Sequence, residues 1–136
     1  MVKVFYGEKG TGKTKKLVDS ANHMVVKAKG DIVFIDDSNQ LIYDLKHEIR
    51  FINITDFPIN GQNGFLGFIC GIISQDYDIE GIFIDGLTYI LKEDISSMAT
   101  LFKKINDISK KFGIDFYISI NGKINTAPDF LGEYIA

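Results

Sequence analysis

The glycine-rich stretch GEKGTGKT, residues 7–14, constrains the fold of this 136-residue chain more than any other feature. Before it, Val2 to Tyr6 is a short, mostly apolar run that favours a buried β-strand. After it, apolar residues recur at helical spacing from Thr14 until Gly30, and glycine commonly ends helices. The apolar stripe of this helix comprises Leu17, Val18, Ala21, Met24, Val25 and Ala28. The sequence therefore predicts a strand, a glycine loop and a helix in direct succession.

Four further apolar runs predict strands of the same sheet. Three of them, Ile32 to Ile35, Ile82 to Ile84 and Phe116 to Ile120, are apolar along nearly their whole length. The fourth, Ile49 to Ile54, contains an arginine and an asparagine, which favours a position at the sheet edge. Strands that are apolar throughout are typical of a parallel sheet covered on both faces.

Two later segments predict helices. Asp94 to Phe112 carries the clearest helical stripe, and Gly113 ends it. Pro128 to Ile135 predicts a short closing helix with the proline in its first turn. Because strands alternate with helices, we expect residues 1–136 to form one α/β domain of three layers, a parallel sheet of about five strands with helices on both faces.

The segment Phe65 to Gln75, FLGFICGIISQ, is compatible with a strand or a helix. Gly67 and Gly71 would weaken a strand, so the pattern favours a buried helix with both glycines on a close-packed face. Either a central crossover helix or a homodimer interface would explain why it is apolar on nearly every side. Cys70, the only cysteine, is predicted to fill the core.

The glycine loop matches the pattern G-x-x-x-x-G-K-[ST] at every fixed position. Its glycines allow the backbone to turn N–H groups toward an anion, and the following helix directs its positive dipole end to the same place. Lys13 provides an ammonium for the terminal phosphates, and Thr14 provides a hydroxyl for Mg²⁺. The predicted nucleotide-binding residues are Gly7, Glu8, Lys9, Gly10, Thr11, Gly12, Lys13, Thr14 and Lys15.

A second carboxylate is expected at the end of a neighbouring buried strand, where it would help to hold Mg²⁺. Asp85 follows the apolar run IFI and precedes Gly86, and it is the preferred candidate. Asp36 follows the run IVFI with the same local pattern. We therefore predict Thr14 and Asp85 as the metal ligands and keep Asp36, beside Asp37, for another catalytic role.

The loop and the Asp85 strand resemble the P-loop nucleoside triphosphatases, and the ending GTGKT resembles their ATP-binding branch, which includes the AAA+ and RecA-like proteins. Guanine-binding relatives carry an N-K-x-D motif where this chain has Asn-Gly-Lys-Ile at 121–124. The resemblance therefore implies ATP with Mg²⁺ as the ligands. It also implies a sensor of the terminal phosphate at Ser119 or Asn121, although an Asn-Gly turn that simply ends the strand explains Asn121 equally well.

Across the whole chain, the pattern also resembles very small bacterial P-loop proteins labelled by distant similarity to twitching-motility ATPases. Those motors have a separate N-terminal domain and motifs containing histidine and aspartate, none of which this sequence contains. The resemblance therefore does not imply a role in motility.

Three absences bear on catalysis. Gly86 stands where many hydrolases of this branch carry a glutamate, although an acid such as Asp36, Asp37 or Asp56 can serve from another strand. Such enzymes use an arginine to neutralise charge in the transition state, and the only arginine of this chain is Arg50. Arg50 could fill this role by acting on the site of a neighbouring subunit, but an exposed strand arginine is the simpler interpretation. No long basic segment is present to form the lid of a small-molecule kinase.

Three functions follow as hypotheses. The first is an ATP–Mg²⁺-binding protein with slow or partner-dependent hydrolysis. The second is an interaction module, acting on an unidentified partner protein, whose nucleotide only switches or stabilises it. The third, a small-molecule kinase, is disfavoured by the missing lid.

Composition limits the partners and the location. The formal net charge of −3 disfavours nucleic acid as a partner, because a general nucleic-acid-binding surface is basic. The longest apolar stretch covers about 10 residues, whereas a membrane-spanning helix needs about 20. With one cysteine and no signal-like N-terminus, the sequence predicts a cytoplasmic protein.

Overall fold

The structure, a computed structural model, describes the backbone of residues 1–136 and every side chain except that of Ile124. Its five strands are β1 Val2–Gly7, β2 Asp31–Asp36, β3 Arg50–Asn53, β4 Ile79–Ile84 and β5 Asp115–Asn121. Its four α-helices are α1 Lys13–Lys27, α2 Gly61–Ser74, α3 Leu87–Leu91 and α4 Ala99–Phe112. None of the described helices is long and apolar enough to cross a membrane.

All strand pairs are parallel, and the strand order is β1-β5-β4-β2-β3. The α/β fold with a parallel five-stranded sheet is therefore confirmed, as is the edge position of β3. Because the strands are parallel, the carboxyl ends of all five meet at one edge of the sheet. Every loop that leaves a strand toward a helix starts from that edge.

The two faces of the sheet bury separate hydrophobic clusters. On one face, Ile32 and Phe34 pack with Leu17 of α1. On the other, Val33 and Ile35 belong to the cluster that contains α2, α3 and α4. Successive residues of a strand point to opposite faces, so a strand covered on both sides has to be apolar at every position. This requirement explains the unbroken apolar runs of the sequence.

The sequence predicts that the glycines of α2 and Cys70 face the core, and this prediction is wrong. Only Phe65, Ile69 and Ile73 of this helix are buried, while Cys70 is exposed. A Cβ atom built on Gly67 or on the equivalent glycine one turn later would meet no atom within 4 Å. One stripe of three large side chains covers this part of the sheet, so neither a close-packed glycine face nor a core role for the cysteine exists within the chain.

Two other predicted helices differ from the structure. The helix predicted from Asp94 begins only at Ala99, after a 3-10 turn at Ile95–Ser97 and the unpredicted short helix α3. Met98, between this 3-10 turn and α4, has φ of −106° and ψ of 13°, so the two segments do not form one continuous helix. Lys92, at the end of α3, has a left-handed backbone with φ of 55° and ends that short helix.

The prediction of a closing helix at Pro128 to Ile135 is also wrong. Only Asp129–Leu131 forms a 3-10 turn. The chain then runs beside β1, where Val4 donates its N–H to the Tyr134 carbonyl at 2.8 Å and accepts from the Ala136 N–H at 3.0 Å. Backbone pairing with the free edge of β1 replaces helical pairing at this end of the chain.

Candidate functional site

A cavity of about 570 Å³ lies at the carboxyl edge of the sheet. Residues predicted to bind phosphate or metal, to take part in catalysis or to sense the terminal phosphate line it, among them Lys13, Thr14, Asp36, Asp85 and Asn121. They come from the glycine loop, α1 and the ends of β2, β4 and β5. The parallel sheet thus gathers side chains that are far apart in the sequence.

The glycine loop turns twice through left-handed backbone. Gly10 and Gly12 have φ of 84° and 85°, a region that residues with a Cβ rarely adopt. Gly12 is the N-cap of α1, and no side chain caps the helix among the described residues. The first N–H groups of α1 therefore have no side-chain partner and border the cavity, as an anion site at a helix N-terminus requires.

The ammonium of Lys13 folds back over the loop. It donates a 2.7 Å hydrogen bond to the carbonyl oxygen of Glu8, which also accepts a 2.7 Å bond from the Thr11 hydroxyl. The Lys13 side chain is only 9% exposed. Burial lowers the pKa of Lys13 below its usual value, and the nearby negative charge of Asp85 partly offsets that effect. An anion in the cavity would therefore meet a poorly hydrated cation.

Asp85 is held from two directions. The Thr14 hydroxyl lies 3.3 Å from both carboxylate oxygens of Asp85, and the Ser119 hydroxyl donates a 2.6 Å hydrogen bond to one of them. The Gly86 N–H in turn donates to the Ser119 hydroxyl at 2.8 Å. Of the two predicted sensor residues, Ser119 thus contacts Asp85, whereas Asn121 lines the cavity without a described side-chain hydrogen bond of its own.

Asp36 is the most buried acid of the cavity, with 5% of its surface exposed. Among the described residues its carboxylate accepts one hydrogen bond, from the Asp37 N–H at 2.8 Å. Burial raises the pKa of Asp36 to about 7, and the charge of Asp85 acts in the same direction. Asp36 is therefore a carboxyl group that can take up or release a proton near neutral pH.

The outer residues of the predicted loop contribute less. Lys9 is exposed at the cavity rim, and Glu8 contributes its carbonyl group rather than its exposed side chain. The Lys15 ammonium pairs with Asp19 at 3.0 Å on the outer face of α1. Arg50 pairs with Asp76 at 3.1 Å, at the amino end of β3 and hence at the opposite edge of the sheet.

A second cavity, of about 500 Å³, borders the same loop on the side of β1. Lys13 lines both cavities. The second one also includes Tyr6, Lys16, Lys123 and Asn125. Sequence reasoning did not predict these four residues, because they belong to no motif and come together only where β1, α1 and the segment after β5 meet.

Sequence reasoning also missed one wall of the first cavity. Ser38, Gln40 and Leu41 follow β2, and Tyr89 lies on α3. Tyr89 follows Asp85 and Gly86 closely in the sequence, which places it near the carboxyl edge of the sheet. Its side chain can be assigned to the cavity only if the short helix α3 is predicted as well. Among the described residues no group of three or more His, Cys, Asp or Glu side chains forms a metal site.

Comparison of the sequence with models of known protein families gives no match, and a search of curated proteins finds no relative. The functional argument therefore depends on the geometry of the site and on the loop motif.

Proposed function

We propose that this protein binds ATP together with Mg²⁺ at the glycine loop and hydrolyses it slowly, or only with a partner protein. The loop amides and Lys13 bind the phosphates, and Thr14 and Asp85 hold the metal. The observation that carries this proposal is the approach of Thr14 to Asp85. These residues are 71 positions apart in the chain, and their oxygen atoms lie 3.3 Å from each other in the cavity that Lys13 also lines.

The oxygen atoms of Thr14 and Asp85 suit Mg²⁺. Adjacent ligands of an octahedral magnesium ion lie about 2.9 Å apart when the metal–oxygen distances are about 2.0–2.1 Å. A movement of a few tenths of an ångström brings both side chains to that spacing. Mg²⁺ is commonly held by one or two protein oxygens with phosphate oxygens and water, so a protein cluster of three ligands is not required. When bound, the ion would supply charge neutralisation at the terminal phosphates.

Asp36 supports a hydrolytic role. It lies in the same cavity as Asp85, and its raised pKa suits the removal of a proton from an attacking water molecule. The single arginine, Arg50, is paired at the other edge of the sheet, so the chain provides no arginine of its own for the transition state. Such an arginine contributes factors of about 10³–10⁵ in related chemistry. Slow hydrolysis, or dependence on a partner that supplies a cation, is the expected consequence.

A second candidate is an interaction module that binds the nucleotide without turnover. Gly86 favours it, because the residue directly after Asp85 has no side chain that can activate water. The two candidates share the binding step and differ in phosphate release. They are therefore separated by measuring turnover after binding has been established.

Calorimetry with ATP and Mg²⁺, followed by an assay of phosphate release, tests the proposal. We expect Lys13→Ala to weaken ATP binding severalfold or more, while Lys15→Ala, on the same helix but paired with Asp19, has little effect. Turnover abolished by Asp85→Ala supports the hydrolase. Tight binding without turnover in the unaltered protein supports the module, and equal ATP affinity of Lys13→Ala and the unaltered protein refutes both.

A further inference from the structure

We propose that the wall formed by Ser38, Gln40, Leu41 and Tyr89 is a subsite for a second substrate, a small hydroxyl compound with a planar ring, to which the terminal phosphoryl group of ATP is transferred. This inference rests on the proposed function, since it requires ATP in the neighbouring part of the cavity. It assigns a role to a group of side chains that nucleotide and metal binding leave without one. The wall belongs to the same cavity as Asp36 and Asp85.

The size of the cavity supports a substrate larger than water. A water molecule occupies about 30 Å³ of liquid volume, whereas the cavity measures about 570 Å³. The residues that would hold phosphate and metal make up only some of its lining, which also includes Ser38, Gln40, Leu41 and Tyr89. Pockets for small organic molecules typically measure about 300–1,000 Å³ and combine apolar surface with a few polar groups. The wall has this composition, with an aromatic ring, a leucine, an amide and a hydroxyl group.

The nucleoside of ATP has another place to lie. Lys13 lines both cavities, and Thr14 and Asp85 line only the larger one. Terminal phosphates at the metal ligands therefore lie in the larger cavity. The nucleoside, at the opposite end of the phosphate chain, can extend into the smaller cavity beside Tyr6 and Asn125. The wall with Tyr89 then remains open to a second molecule.

The chemistry of the wall indicates the class of this molecule. Tyr89 is 53% exposed and lines the cavity, and an accessible aromatic ring is a group on which a planar ligand can stack. Asp36 is 5% exposed, and among the described residues its carboxylate accepts one hydrogen bond, from the Asp37 N–H. A carboxylate in this position suits a hydroxyl group, whose proton has to be removed before or during phosphoryl transfer.

The step balances without a further reactant. The hydroxyl oxygen of the acceptor forms a bond to the terminal phosphorus while the bond from that phosphorus to the β-phosphate bridging oxygen breaks. ADP leaves with the electron pair of the broken bond. The Asp36 carboxylate takes the hydroxyl proton. The missing lid, which argues against a kinase, predicts that water competes and that some phosphate is released to solvent.

Radiolabelled ATP carrying the label in its terminal phosphate tests the proposal. The protein is incubated with Mg²⁺, this ATP and one of three probes: thymidine, pyridoxine or, as a hydroxyl compound without a ring, glycerol. We expect labelled organic phosphate with at least one ring-containing probe and more of it than with glycerol. Inorganic phosphate as the sole labelled product with all three probes, in protein that binds ATP by calorimetry, overturns the acceptor subsite and leaves the proposed function intact. Absence of ATP binding overturns both.

Single-residue variants test whether the wall that contains Tyr89 binds the acceptor. We expect Tyr89→Ala to raise the KM of the reacting probe about three- to tenfold, the range of a lost aromatic contact. Tyr43→Ala is the matched control, because Tyr43 follows the same wall segment, is 96% exposed and does not line the cavity. A loss of ATP affinity in Tyr89→Ala, with the probe KM unchanged, assigns the wall to the nucleoside and overturns the proposal. We expect Asp36→Asn to reduce kcat about 10²- to 10⁴-fold.

Discussion

The hydroxyl group of Ser119 donates a 2.6 Å hydrogen bond to the Asp85 carboxylate and fixes the direction in which that carboxylate faces the glycine loop. Ser119 lies near the carboxyl end of β5, and Asp85 directly follows the neighbouring strand β4. Ser119 also accepts the Gly86 N–H, so one buried hydroxyl group joins the candidate metal ligand to the backbone that follows it. A positioning role of this kind has consequences for metal binding that can be measured.

We expect Ser119→Ala to raise the Mg²⁺ concentration needed for half-maximal ATP binding about three- to tenfold, because Asp85 loses a charge-assisted hydrogen bond that orients it. Stability should fall by about 1–3 kcal/mol, since the Gly86 N–H loses its partner. Magnesium titrations at fixed ATP measure the first effect. Ser96→Ala, an exposed serine bonded to Asp94, is the control. Identical magnesium curves for Ser119→Ala and the unaltered protein would contradict a positioning role.

The left-handed turn at Gly12 provides a second prediction. A Cβ on Gly12 meets no atom within 4 Å, so the cost of Gly12→Ala comes from its φ of 85° alone, about 1–2 kcal/mol. Gly113, with φ of 67° at the end of α4, offers a matched control of similar strain far from the loop. We expect both variants to lose similar stability in urea, but only Gly12→Ala to lose ATP affinity in calorimetry. Equal ATP binding by the two variants would exclude the loop amides from the site.

Substitution by alanine should change the stability of the protein in opposite directions at two other glycines, Gly30 and Gly67. A Cβ at Gly30 overlaps the backbone carbonyl group of Asp78, so Gly30→Ala forces two chain segments apart and should cost about 2–4 kcal/mol. A Cβ at Gly67 meets open space on the outer face of α2, so Gly67→Ala should stabilise the helix by about 0.5–1 kcal/mol. Urea unfolding measures both. If Gly67→Ala lowers stability instead, that face of α2 is covered by a contact the isolated chain does not make.

The raised pKa of Asp36 makes stability depend on pH. Because burial raises this pKa from about 3.8 to about 7, the folded protein binds the Asp36 proton more tightly than the unfolded chain does. The contribution of Asp36 is therefore most favourable below about pH 4, declines as the pH rises through the window between 4 and 7, and stays unfavourable above 7. Asp36→Asn keeps an oxygen for the Asp37 N–H and removes the charge. We expect it to stabilise the protein above pH 7 by about 1–3 kcal/mol and to have little effect at pH 4.

Urea unfolding at pH 4, 6 and 8 measures this difference. Asp56→Asn, at an exposed position that does not line the cavity, controls for the loss of one negative charge. A stability difference between Asp36→Asn and the unaltered protein that does not grow with pH would show that Asp36 is as well solvated when folded as when unfolded.

Local sequence was sufficient to predict an element or a site residue wherever the hydrophobic pattern or the motif agreed with the tertiary environment. The apolar runs around Phe34 and Phe83 predicted strands covered on both faces, and both side chains are fully buried. The loop motif predicted Lys13 and Thr14 beside a strand-ending carboxylate, and Asp85 lies there. In α2 the same kind of reasoning failed for Cys70, because apolar composition does not reveal which face of a helix meets the sheet. Around α3 it failed because a helix of five residues is too short for hydrophobic periodicity to reveal, and the apolar pattern that begins at Asp94 does not show that Met98 leaves the helical backbone conformation.

By itself the sequence determined the alternation of strands and helices and the glycine loop, because both depend on hydrophobic periodicity and on backbone freedom within a few neighbouring residues. Only the tertiary structure decided that Asp36 shares a cavity with Asp85, that Ser119 orients Asp85, and that Tyr89 and Gln40 form an additional wall. The parallel sheet brings these residues to one edge by its strand order. Strand order results from packing between distant segments, and no short stretch of sequence contains it.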